Sequence, residues 1–136
     1  MSADAITLSI PHDKPFHGVA RLVVGGLAAR LDLSYEHLED LQLALASVLE
    51  GGGYVAGEEV TVRLLVGQSS IGMAIGPLDA NQLRADLERG PEGGVPLSRL
   101  LDTLVDETAL EQGEGGYWLR LEKQVSMTRP ERKAEL

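Results

Sequence analysis

The chain has 136 residues, 43% hydrophobic and 24% charged, a composition that builds one globular domain and not a disordered chain. The 21 Asp+Glu against 12 Lys+Arg give a formal net charge of −9, which argues against a nucleic-acid binder working through a basic face. Cysteine is absent, which excludes disulfide frameworks, thiolate zinc sites and cysteine nucleophiles. Glycine is abundant at 16 residues, and clustered glycine means either phosphate-cradling loops or ordinary turns.

The opening residues Met1-Ser2-Ala3-Asp4 carry no basic targeting region. No stretch approaches the ~18 continuous apolar residues of a membrane span, so a cytoplasmic protein without membrane association is expected. Ile6, Leu8 and Ile10 alternate with polar neighbours and predict a strand over 5–10. From Phe16 the period changes: Phe16, Val19, Ala20, Val23, Leu27, Ala28 and Leu31 recur at three and four, an amphipathic helix. Gly25 and Gly26 weaken that helix or let another element approach it closely.

Ser34 reads as an N-cap, with Glu36, Glu39 and Asp40 at the positive end of a second helix. Its stripe is Leu38, Leu41, Leu45 and Val48, widened by Ala44 and Leu49, and it stops at Gly51-Gly52-Gly53. Two strands follow, 60–66 and 71–75, joined through Gly67-Gln68-Ser69-Ser70 and ended by Pro77. A short helix capped by Asp79 covers 80–89. After the loop Gly90-Pro91-Glu92-Gly93-Gly94, Pro96 opens a helix striped by Leu97, Leu100, Leu101, Leu104 and Val105. A weak strand at 108–111, a turn at 113–116 and a strand at 117–125 close the chain. Residues 1–125 read as one domain and 126–136 as a polar, flexible tail. Helix pairs mixed with hairpins predict an α+β two-layer sandwich, a mixed and mostly antiparallel sheet with helices on one face.

That order, with particular segments, resembles the histidine-kinase-like (GHKL) ATPase superfamily and its Bergerat-type fold. Within the superfamily it resembles the anti-sigma-factor serine/threonine kinase group. The resemblance spans about residues 5–125. It rests on Leu8-Ser9-Ile10-Pro11 with Val19-Ala20-Arg21, on the segment Leu38 to Ala46, on Gly76-Pro77, and on Gly93 to Leu101 with Leu104-Val105-Asp106-Glu107 and the closing hairpin. It implies an ATP site with magnesium, but the expected residue types are missing. The helix Glu that orients the attacking group falls at Ser47, and the magnesium-binding Asn four residues on falls at Gly51. The adenine-reading Asp falls at Ala74; Gly76 keeps the first glycine of that box and Leu78 replaces the second. In the phosphate loop Gly90, Gly93 and Gly94 remain, while Pro96 replaces the last glycine and removes an N–H donor. Glycine has no ligand atom and serine is a poor base at neutral pH.

Glu50, one turn beyond Ser47, either stands in for the missing carboxylate or is a solvated acid at the negative end of a helix. His12, His17 and His37 are scattered, and no metal-ligand spacing joins them. No Gly-x-Ser-x-Gly elbow and no Gly-Lys-Ser/Thr phosphate loop occurs. The acidic surface either serves solubility or steers a basic partner, with Asp32, Glu36, Glu39, Asp40 and Glu50 as candidates. The leading expectation is a protein-binding regulator with lost or weak ATP binding and no expected cofactor. Its implied partner is a sigma factor or a STAS-domain anti-anti-sigma protein, with a homodimer as the implied assembly. The alternatives are an active divergent ATP-dependent serine/threonine kinase, which would use ATP and magnesium, and a scaffold without a sigma-related role.

Overall fold

The computed structural model describes residues 4–50, 54–88 and 97–125. Its elements are β1 (Asp4–Pro11), α1 (Lys14–Arg30), α2 (Tyr35–Glu50), β2 (Glu59–Val66), β3 (Ser70–Leu78), α3 (Ala80–Glu88), α4 (Leu97–Leu104), β4 (Glu107–Gly113) and β5 (Gly116–Gln124). The expected tail at 126–136 lies outside the described residues, as do Gly51, Gly90, Gly93, Gly94 and Pro96.

The strands form one sheet in the order β1-β2-β3-β5-β4. Every pairing among the described strands is antiparallel, so the expected α+β sandwich carries a fully antiparallel sheet. One sheet face presents Val60, Val62 and Leu64 from β2, Ile71, Met73 and Ile75 from β3 and Leu119 and Leu121 from β5, all buried. These close one core with Leu41, Ala44, Leu45, Val48 and Leu49 of α2, Ala20 and Val24 of α1, Leu83 of α3 and Leu97, Leu101 and Leu104 of α4. Truncating a fully enclosed member such as Leu45 to Ala removes about 2–5 kcal/mol at sites of this kind.

Local signals set the helix ends. Asp13 accepts from Lys14 N at 3.0 Å and caps α1, and Ser34 Oγ accepts from His37 N at 3.1 Å ahead of α2. Asp79 Oδ1 accepts from Asn81 N at 2.9 Å and caps α3. Each cap satisfies an amide that the first helical turn leaves without a carbonyl. Between α1 and α2, Asp32 takes a left-handed φ of 56°, and Leu33 N donates to Ala28 O at 3.1 Å.

Two expectations are corrected. Pro77 does not end β3, which continues to Leu78. The proline sits where the β3–β5 register shifts between Ile75 and Leu78, a position at which no ladder donor is needed. Its carbonyl accepts from Ala56 N at 3.1 Å instead. The second correction concerns α1. Its buried face is His17, Ala20, Val24 and Ala28, whereas Phe16 and Val19, expected on that face, are 41% and 40% exposed. A histidine opens the core stripe, and its polar identity hid the true helical phase. The weak strand at 108–111 is also longer than expected, Glu107–Gly113.

Candidate functional site

The C-terminal turns of α2 hold Ser47, where the resemblance implies the orienting Glu, and Glu50, the candidate substitute for it. Ser47 Oγ donates to Leu43 O at 2.8 Å, so its hydroxyl proton is held by its own helix. Glu50 is exposed, and its Oε2 lies 3.9 Å from His17 Nδ1. His17 is only 5% exposed, and neither of its ring nitrogens has a hydrogen-bond partner among the described residues. The His12 ring stacks on it with centroids 5.2 Å apart. His12 Nε2 reaches Leu49 O at 3.3 Å, one of the carbonyls the end of α2 leaves without an intrahelical donor. Burial lowers the His17 pKa below 6.5, and the neighbouring His12 lowers it further, against opposing pulls from Glu50 and Asp13. His17 is therefore neutral at pH 7.

The structure does not bring Ala74 to this place. Ala74 pairs with Arg63 of β2 and Arg120 of β5, so it belongs to the sheet face turned away from the helices. There it lines a cleft of about 250 Å³ with Arg63, Leu65, Glu111, Trp118 and Arg120. Gly76 shares that face, and its hydrogen side is filled by an indole: a methyl on Gly76 would lie 2.5 Å from Trp118 Cδ2. One on Gly113 would lie 2.7 Å from Trp118 Cδ1. Trp118 Nε1 donates to Glu114 O at 2.9 Å, and the Arg63 guanidinium stands 5.5 Å from the ring centroid. Both glycines make room for tryptophan. Leu78 is fully buried in the core.

At the described positions, Ser47 supplies no carboxylate where the resemblance implies the orienting Glu, and Ala74 supplies none where it implies the adenine-reading Asp. The space beside Gly76 is occupied by the Trp118 indole, and the implied magnesium position, Gly51, lies outside the described residues. Among the described residues no three His, Asp or Glu side chains converge as a metal site. Gly90, Gly93 and Gly94 lie outside the described residues.

A larger concavity runs between α1 and α2. Its volume is about 820 Å³, and Gly18, Val19, Leu22, Leu43 and Ala46 line it, with Arg21 on one wall and Glu39 and Asp40 on the other. Leu22 is 75% exposed and Leu43 51%, an apolar stripe independent of the buried one. Gln42 Nε2 donates to Arg21 O at 3.0 Å across the two helices. A methyl on Gly25 would lie 3.3 Å from that same nitrogen, so Gly25 permits the close approach and Gly26, facing open space, does not need to. Sequence reasoning missed both the groove and the His12–His17–Glu50 cluster. The signals available were Phe16, Val19 and Leu22 at three-residue spacing, and Leu43 off the α2 core stripe.

Helices on one face of this antiparallel sheet, with an α1–α2 pair entering between β1 and β2, give the architecture of the histidine-kinase-like ATPases. The chain is 31% identical to the serine-protein kinase RsbW of Bacillus pumilus, over 84% of this chain and 82% of that protein. It is 30% identical to RsbW of Halalkalibacterium halodurans over 82% and 78%, and 30% identical to RsbW of Listeria monocytogenes over 82% of each. The chain belongs to the RsbW family of anti-sigma-factor serine-protein kinases. No protein-family profile matches it.

Proposed function

We propose that the protein is a regulatory binding module of sigma-factor control whose ATP site is lost or weakened. It sequesters a sigma factor or binds a STAS-domain anti-anti-sigma partner, and a homodimer belongs to the same proposal. The observation that carries this reading is the exposed apolar groove between α1 and α2, lined by Val19, Leu22 and Leu43 and walled by opposite charges. Solvent-facing leucines rimmed by charge mark a surface that a partner covers. The groove and the foot of α2 belong to the same helix pair, so a partner seated there also bears on the turn that holds Ser47 and Glu50.

Leu22→Asp and Leu43→Asp test the groove. Each is expected to weaken partner capture at least about tenfold with an unchanged melting temperature, because both side chains already face water. Calorimetric titration with ATP and magnesium is expected to show no micromolar binding; a micromolar Kd would overturn the claim of a lost site. A second reading, an active divergent kinase, is favoured by the exposed Glu50 carboxylate one turn from Ser47. It requires radiolabel transfer to a partner that Glu50→Gln abolishes.

A further inference from the structure

The helix pair is joined at one end by a group that has no structural reason to be titratable. His17 occupies a core position, the first of the buried stripe of α1. Any apolar residue would fill it without leaving two ring nitrogens unpartnered. Instead a second imidazole, His12, stacks on it at 5.2 Å with 30° between the planes, and an exposed carboxylate, Glu50, stops 3.9 Å short of Nδ1. That separation is too long for a hydrogen bond, yet a side-chain rotation of about an ångström closes it.

We propose that His12, His17 and Glu50 form a proton-operated latch between the head of α1 and the foot of α2. With His17 neutral, Glu50 points to solvent beside Ser47 and the latch is open. With His17 protonated, both ring nitrogens become donors. Glu50 then swings in to accept from Nδ1 as an ion pair, and the charge sits favourably near the negative end of the α2 dipole. The groups facing His17 are His12 from the β1–α1 connection, Asp13 and Lys14 at the head of α1, and Glu50 from α2. His12 and Lys14 oppose a charge on His17, while Glu50 and Asp13 favour it. The desolvation of His17 places closure below neutral pH. Acidification therefore withdraws the Glu50 carboxylate from the candidate site and ties the last turn of α2 to α1. The latch needs neither nucleotide nor partner, so its failure would leave the proposed function standing.

A side-chain and amide NMR titration of the full chain between about pH 8 and pH 5 tests it. Glu50→Gln is expected to lower the proton affinity of His17 about threefold, since it removes the charge that favours the imidazolium. The amide signals of Ser47 to Glu50 are expected to follow the His17 titration in the parent chain and to stop following it in Glu50→Gln. Glu50 is exposed, so this variant keeps the fold. An unchanged His17 titration in Glu50→Gln, or α2 amides that ignore it in the parent, would overturn the latch.

Discussion

His17 gives this fold one specific response to acid. The native pKa of His17 lies below the ordinary 6.5, through burial first and His12 second. The unfolded chain therefore takes up a proton near pH 6.5 while the native chain takes it up only at lower pH. Stability is complete above the unfolded value and falls as pH drops through 6.5 towards the native one. Urea midpoints are expected to decline more between about pH 7.5 and 5.5 in the parent than in His17→Leu. At pH 7 the same variant is expected to be more stable by about 1–2 kcal/mol, because it removes buried ring nitrogens that have no hydrogen-bond partner among the described residues. None of this was legible in the sequence. A histidine five residues from another, beside an aspartate, carries no periodic signal, and its burial follows from a helical phase set by Ala20, Val24 and Ala28. Serine, alanine and leucine at 47, 74 and 78 were legible as substitutions, because a residue that lacks a functional group lacks it in any fold.

At the scale of elements, two devices hold the sheet to its surroundings. On the open face, β3 and β4 give up side chains at Gly76 and Gly113 so that the Trp118 indole of β5 can lie across them. Gly76→Ala places a methyl against the inner ring atoms and is expected to destabilise by about 1–3 kcal/mol in chemical denaturation. The double variant with Trp118→Ala should lose less than the sum of the two single losses. On the helical face, Lys123 of β5 is buried. Its Nζ donates to Leu104 O at the end of α4 at 2.8 Å and meets Asp40 of α2 at 3.1 Å. Lys123→Met is expected to lose about 1–3 kcal/mol by leaving a buried carbonyl and a half-buried carboxylate without their cation. Asp40→Asn is expected to lose less, since the carbonyl keeps its donor. The strands themselves were legible from alternation alone, as Val60, Val62, Leu64 and Val66 demonstrate. The lysine was not, because its alternation places it on the core face and its charge argues for the other.

For the whole molecule, the order of elements sorts the two sheet faces into different tasks. The helical face holds the core, the groove and the foot of α2; the open face holds arginines, glycines and one indole. No described helix is long and apolar enough to cross a membrane. The formal charge of −9 and Glu39 on the groove wall favour a basic partner for the proposed binding role. Association with such a partner is expected to slow at least about tenfold as ionic strength rises from about 0.05 to 0.5 M in stopped-flow mixing, with dissociation changing far less. Trp118 is the chain's one tryptophan, and its half-buried ring is pinned to the side of the sheet turned away from the described helices. Its intrinsic fluorescence is thus a built-in sensor of sidedness. Occupancy of the α1–α2 groove should leave the emission spectrum in place, whereas anything that masks the open sheet, or peels β5 from β3, should change its colour and its access to quencher.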